Sequence, residues 1–230
     1  MIDLEIWSDF MCPFCYIGKR KFENALQQFE EKDQINIVWK SYQLDPNLQS
    51  DKYSSINEYL AIAKKVPQEE ASQINNYVKS LAEKVDLNFN LDTIKVANTL
   101  KAHQLSHLAK KHNKQNQLEE ALFKAYFIEG KNLDDTQTLL EIGTANGLDK
   151  HDIENTFTDN KYISDIAKDI EDGQNIGVTG VPFFVFNNKY GLSGAQETDV
   201  FLESLQKVLR DSKIQLAKEG AQCDVNGICK

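Results

Sequence analysis

The sequence predicts an α/β protein: one small sheet with helices on both faces, interrupted by a large all-helical insertion. Three observations carry that expectation. Residues 1–45 read strand, helix, strand; residues 161–212 read helix, strand, strand, helix. Between them, from about residue 54 to residue 159, amphipathic helical patterns follow one another with almost no strand pattern. Two ends that each supply part of a sheet describe one unit split by the block at 46–160, with a polar tail at 213–230.

The elements follow in order. Ile2, Leu4 and Ile6 alternate with Asp3 and Glu5, the period of a half-buried strand. Past Cys12-Pro13-Phe14-Cys15, residues Tyr16, Ile17, Phe22, Leu26 and Phe29 recur at helical spacing among charged residues. Residues 35–44, rich in Ile, Val, Trp and Tyr, form a second strand that stops at Asp45-Pro46. In the insertion, Pro67 opens one helix, and Asn90-Leu91-Asp92 precedes a long amphipathic run through Ile94, Val96, Leu100, Leu105 and Leu108. Gly130, Gly143 and Gly147 punctuate the later helices, with Asp134 and Asp149 as N-terminal caps. A further helix over 160–175 leads to Val181-Pro182-Phe183-Phe184-Val185-Phe186-Asn187-Asn188-Lys189-Tyr190. That is a strand starting at a proline, a two-residue Asn-Asn turn and a second strand. Val200, Phe201, Leu205 and Leu209 mark the last helix.

A net charge of −9 over 230 residues, with no basic run, argues against a nucleic-acid binder, which needs a cationic face for phosphates. No apolar stretch approaches the roughly 18 residues of a membrane span. The acidic N-terminus, Met1-Ile2-Asp3-Leu4-Glu5, is unlike a secretory signal, so the expected address is the cytoplasm. In such a reducing compartment a close cysteine pair points to redox chemistry or metal binding rather than to a structural disulfide. The four cysteines form two pairs, Cys12/Cys15 and Cys223/Cys229.

Cys12 and Cys15 sit where a strand pattern turns into a helix. A thiol there faces unpaired N–H groups and the positive end of the helix dipole, which favour thiolate. A zinc knuckle is the competing reading, but knuckles sit in glycine-flanked hairpins. We therefore expect a redox dithiol and no metal, with Cys12 the exposed nucleophile and Cys15, inside the helix, the buried resolving thiol. His103 and His107 are four residues apart but lack a carboxylate partner pattern, and with His112 read as polar positions on the insertion's surface. Lys19, Arg20 and Lys21 read as a solvated helix face. Tyr126 and Phe127 read as helix core or cleft lining, and Asp9 as a turn or cap residue, with proton carriage the sharper alternative.

Four blocks carry a resemblance: Trp7 to Lys19, Ala125-Tyr126-Phe127-Ile128-Glu129-Gly130, Gly177 to Phe184, and Ser193-Gly194-Ala195-Gln196. In this order and over nearly the whole chain, they resemble the DsbA family of thioredoxin-fold oxidoreductases, in its FrnE-like branch. The resemblance implies a thioredoxin fold bearing the helical insertion over its active face. It implies a cis Pro182 beside the active cysteines, Val181 presenting its backbone to an extended peptide, and Pro13 and Phe14 supporting the site. Phe14 stands where strongly oxidising relatives carry histidine, which implies a less oxidising couple. Ile6 stands where many thioredoxin-fold proteins carry a buried carboxylate.

The expected activity is protein dithiol-disulfide oxidation, reduction or isomerisation without an organic cofactor. Expected partners are thiol- or disulfide-containing proteins, with glutathione or a thioredoxin-type protein as electron partner. Cys223 and Cys229 are either a bland tail pair or a second redox centre exchanging with the first. The alternative activity is that of the glutathione-dependent kappa-class transferases and 2-hydroxychromene-2-carboxylate isomerases, which share the architecture but characteristically carry serine for the first cysteine.

Overall fold

The computed structural model describes residues 1–50 and 52–219. Its four strands are β1 (Ile2–Ser8), β2 (Ile35–Ser41), β3 (Phe183–Phe186) and β4 (Tyr190–Ser193), in the sheet order β2-β1-β3-β4. β1 runs parallel to β2, with Ile6 opposite Trp39, and antiparallel to β3, with Ile6 opposite Phe184. The parallel pair needs a crossover, which α1 (Pro13–Gln28) supplies. The fold is thus a thioredoxin fold carrying a helical insertion.

Alternation along β1 divides the sheet into two faces. Ile2, Leu4 and Ile6 on one face join Phe184 and Phe186 of β3, and all five are buried. Against them pack α1 and α9 (Thr198–Glu219). Phe201 stands edge-on to both Phe184, at 4.7 Å, and Phe22, at 5.8 Å. Trp7 and Val185 line the other face, under α8 (Ile163–Asn175). The Trp7 indole N–H donates to the Asp169 carbonyl at 2.7 Å. A Cβ on Gly173 would lie 2.7 Å from that indole nitrogen, so glycine is what lets α8 approach. In the β3–β4 turn, Asn187 and Asn188 have φ of 49° and 52°, conformations that asparagine tolerates best after glycine. Phe186 pairs with Tyr190, so Lys189 belongs to the connection and the turn is one residue longer than expected.

Between β2 and α8 lie α2 (Ile56–Lys64), α3 (Gln68–Glu83), α4 (Leu100–Lys111), α5 (Gln115–Phe127), α6 (Thr136–Ala145) and α7 (Lys150–Thr158). Ser55 caps α2 and Asp149 caps α7. Asp135 rather than Asp134 caps α6; Asp134 instead accepts from Ser50 and pairs with Lys101. Gly143 lies within α6, where a Cβ would meet Ile153 at 2.6 Å. The amphipathic run expected from Ile94 becomes helical only at Leu100, since buried Ile94 and Val96 lie on irregular chain ahead of it.

Two seams hold the insertion to the sheet unit. In the first, fully buried Phe123 of α5 contacts Phe10 at 5.3 Å and stacks on Tyr16 at 5.1 Å. Beside it, Lys19 and Arg20 of α1 pair with Glu120 of α5, which also accepts from Tyr16 Oη at 2.7 Å. Lys19 is 2% exposed, which corrects the solvated-face expectation: its charge is placed by carboxylates rather than by water. In the second seam, Asp169 of α8 takes Lys40 Nζ at 2.8 Å, Ser41 N–H at 3.0 Å and His107 Nε2 at 3.2 Å. His107 is therefore buried, not on the surface as expected, because Asp169 and the Ser41 hydroxyl at 3.1 Å satisfy its ring.

Candidate active site

Strand β1 delivers Ser8 to the sheet's end, and Asp9, Phe10 and Met11 turn the chain into α1. Cys12 occupies the N-cap with extended backbone (φ −88°, ψ 111°), its N–H bonded to the Asp9 carbonyl at 3.0 Å. Pro13 fits the first helical position, where no N–H partner is needed. The Cys15 N–H reaches back to the Cys12 carbonyl at 3.0 Å. Both cysteines are free thiols.

From the other half of the chain comes Val181, joined to Pro182 by a cis peptide bond. The Cys12 sulfur lies 3.5 Å from the Val181 carbonyl oxygen. Pro182 rests against α1 at Gly18, where a Cβ would come within 3.1 Å of Pro182 Cγ. Cys12, Cys15, Pro13, Phe14, Val181 and Pro182 are thereby gathered at one end of the sheet from positions more than a hundred and sixty residues apart. Cys223 and Cys229 lie outside the described residues.

Residues 3–206 match the family profile of the DSBA-like thioredoxin domain. The chain belongs to that family. Among solved structures, a probable DsbA oxidoreductase from Streptomyces coelicolor is similar at 29% identity and a TM-score of 0.85, covering 100% of this chain and 99% of its own. The cytosolic disulfide reductase DsbM from Pseudomonas aeruginosa, also solved with GSH, shares the fold at 14% identity and a TM-score of 0.66, over 90% and 98% of the two chains. A 2-hydroxychromene-2-carboxylate isomerase shares it at 14% identity and a TM-score of 0.65, over 93% and 98%.

In this member of the DSBA-like family, burial of the pair departs from expectation. Cys15 is 1% exposed, as foreseen, but Cys12 is only 4% exposed although it lines a groove. Burial pushes the Cys15 thiol well above its ordinary range, and the Cys12 sulfur adds to this; the nearby Ser8 hydroxyl and Asp9 N–H oppose it.

The groove, about 340 Å³, opens beside Cys12. Phe14 and Leu44 line it together with Leu60, Ile74 and Val78 of α2 and α3, and with Lys64 and Asn75. Phe14 and Leu44 are 39% and 47% exposed, large apolar groups left facing water beside Cys12. Phe127 lines the base, while Tyr126 is buried core. A larger cavity, about 450 Å³, lies on the Trp7 face of the sheet and contains neither cysteine.

The Asp9 side chain does more than shape the turn. It is fully buried and accepts from Met11 N at 3.4 Å and Leu44 N at 2.7 Å. His103 Nε2 stands 3.5 Å from it, buried against Phe10 rather than on the surface as expected, because α4 packs behind the cysteine turn. His112 is exposed as expected, its side chain 44% accessible.

Proposed function

We propose that the protein is a dithiol-disulfide oxidoreductase or isomerase of the FrnE-like branch, acting on protein substrates in the reducing cytoplasm. Cys12 is the nucleophile and Cys15 the resolving thiol. The observation that carries this reading is the placement of Cys12 at a helix N-cap, its sulfur 3.5 Å from the Val181 carbonyl, among the residues that line an apolar groove. The Cys12 thiol donates to that carbonyl. Phe14 and Leu44 offer surface to an apolar segment flanking the substrate sulfur.

The chemistry is two successive displacements. The Cys12 thiolate attacks a substrate disulfide, forming a mixed disulfide and releasing one substrate sulfur as thiolate. Cys15 then attacks the Cys12 sulfur, expelling the second substrate sulfur and leaving Cys12 and Cys15 joined. Running both steps backward oxidises a substrate dithiol. Glutathione or a thioredoxin-type protein resets the pair between turnovers. Retention of both cysteines favours this reading over that of a glutathione-dependent transferase or isomerase for small apolar molecules, which would use the same groove.

Insulin reduction and refolding of a scrambled disulfide substrate, run beside a glutathione-conjugation assay, separate the two. Both thiol assays are expected to be active and to fall to background in Cys12→Ser, with no conjugation by either protein. Thiol activity unchanged in Cys12→Ser would sink the proposal; conjugation without thiol exchange would establish the alternative.

The groove carries its own expectation. Ile74→Glu places a charge in the groove lining and should lower kcat/KM for an unfolded protein disulfide about tenfold, equivalent to roughly 1.4 kcal/mol of lost binding. A small aromatic disulfide that does not span the groove should react with Cys12 at an unchanged rate. Equal losses for both substrates would mean that this position supports the fold and not the substrate.

A further inference from the structure

The substrates that the groove beside Cys12 takes can be narrowed, on the reading just given, from its few polar members. The lining is apolar apart from Cys12, Tyr59, Asn75 and Lys64. Three of these are already engaged. The Cys12 thiol donates to the Val181 carbonyl, Tyr59 Oη donates to Asp45 at 3.4 Å, and the Asn75 amide donates to Asn57 at 2.6 Å. Lys64, the one charged member, has no hydrogen bond or ion pair to its ammonium group among the described residues.

Local sequence explains why this cation stays unpaired. A lysine on a helix finds its carboxylate three or four positions away, as Lys19 finds Glu23, but the positions one turn before Lys64 are Leu60 and Ala61. The acid of α2, Glu58, turns to the helix start, where it takes the Ser54 N–H at 2.7 Å and the Ser54 hydroxyl at 2.6 Å. Past Lys64 the helix stops, because Lys65 adopts a left-handed conformation with φ 56° and its N–H bonds back to the Ile62 carbonyl at 3.3 Å. The acids of α3, Glu69, Glu70 and Glu83, are not among the lining residues. On a chain with a net charge of −9, the groove that holds Cys12 thus presents a single, positive charge.

We infer that Lys64 is a specificity-determining residue: it selects extended protein segments that carry an acidic side chain close to their reacting cysteine, beside large apolar side chains that fill the groove. An apolar segment entering the groove displaces water from around the ammonium. A carboxylate on the same segment then gains more from it than a pair in open water would. The groove, about 340 Å³, holds only a few side chains. At roughly 3.3 Å per extended residue, the acid falls within about four positions of the substrate cysteine. A basic residue there meets Lys64 as a like charge and is rejected.

The test uses the full reduced chain carrying Cys223→Ser and Cys229→Ser, so that only Cys12 and Cys15 bear thiols. The probes are short capped peptides whose cysteine is joined to 2-thiopyridine in a disulfide. The Cys12 thiolate attacks the peptide sulfur, the bond between the peptide and pyridyl sulfurs breaks, and the departing thiolate takes a proton to become neutral pyridine-2-thione. Its absorbance gives the second-order rate constant. Each peptide has phenylalanine beside the cysteine and Glu, Gln or Lys at one neighbouring position, scanned in turn. At low salt the parent should react with the best-placed Glu peptide about tenfold faster than with its Lys counterpart. Salt at about 0.5 M should shrink that ratio to about threefold or less. Lys64→Gln should bring the ratio to about one or below, since the field of the remaining chain is negative, and Lys64→Glu should invert it. The Gln peptide should react with all three proteins within about twofold, because Lys64 is exposed and supports neither the fold nor Cys12.

A Glu-to-Lys ratio near one at every position in the parent, or a ratio that both Lys64 variants leave unchanged, overturns the inference and leaves thiol exchange standing. A parent that releases no pyridine-2-thione, or a Cys12→Ser variant that releases it as fast, overturns the thiol-exchange reading and the inference together. Oxidised glutathione is the last arm. If Lys64→Gln slows its reduction and leaves the peptide ratio unchanged, the carboxylate that Lys64 holds belongs to glutathione and the inference fails.

Discussion

Cys15→Ser is expected to turn the protein from a turnover catalyst into a trap. On the proposed function Cys15 is the resolving thiol; without it Cys12 would still attack a substrate disulfide, but the mixed disulfide could leave only by attack from an external thiol. Cys15 N–H bonds to the Cys12 carbonyl, and that backbone bond is unaffected by a serine side chain. Serine is also slightly smaller than cysteine, so a buried site fits it without strain. Insulin reduction at low glutathione should fall by two orders of magnitude or more, since an intramolecular thiol acts at an effective concentration far above millimolar. Non-reducing electrophoresis should show covalent adducts of Cys15→Ser with its substrates that dithiothreitol dissolves and that Cys12→Ser never forms. If Cys15→Ser turns over like the parent and leaves no adduct, external thiols already do the resolving and Cys15 has only a packing role.

The same contrast between what is local and what is assembled explains how much could be read from the sequence. The strand-to-helix placement of Cys12 and Cys15, the hairpin after Pro182 and the helical block were legible because each is written in a period or a turn residue within a dozen positions. The fates of the polar side chains were not. Lys19 reads as a solvated cation beside Arg20 and Lys21, and Glu120, 101 residues on, joins the local Glu23 in pairing it where it is buried. His103 and His107 read as surface positions because their partners, Asp9 and Asp169, come from other elements. The exposure expected for Cys12 failed for a related reason: nothing in its own segment shows that Leu44, α2 and α3 close over it. Asp9 was half legible, for a carboxylate two residues before Met11 announces a turn, whereas its burial depends on α4.

Two buried acids, one on α8 and one in the insertion, show what that assembly costs. Asp169 and Glu119 are both nearly inaccessible, 4% and 2% exposed, yet they sit on opposite sides of the ionisation balance. Burial raises Asp169, but hydrogen bonds from His107, Lys40 and the Ser41 N–H outweigh it and hold the carboxyl below its usual range. Glu119 has one neutral partner within bonding distance, the Ser106 hydroxyl at 2.6 Å. Burial therefore dominates and pushes it up to about 8 from an ordinary 4.5. In the unfolded chain this carboxyl gives up its proton near the ordinary value; in the folded protein it keeps it. Between the two values the unfolded state binds fewer protons, so this group's contribution to stability is fully present below about pH 4.5 and lost as pH rises to about 8.

Glu119→Gln should therefore stabilise the protein. Glutamine keeps the shape and the acceptor for Ser106 without a proton to lose. At pH 7 the gain should be about 2 to 3 kcal/mol, the ceiling being about 1.4 kcal/mol for each pH step above the ordinary carboxylate value. Urea unfolding from pH 5 to pH 9 provides the measurement: the two stability curves should lie together near pH 5, diverge up to about pH 8 and run parallel beyond it. Curves parallel across the whole range would show that Glu119 is ionised in the folded protein, with its charge compensated from further away, Lys19 being the nearest candidate.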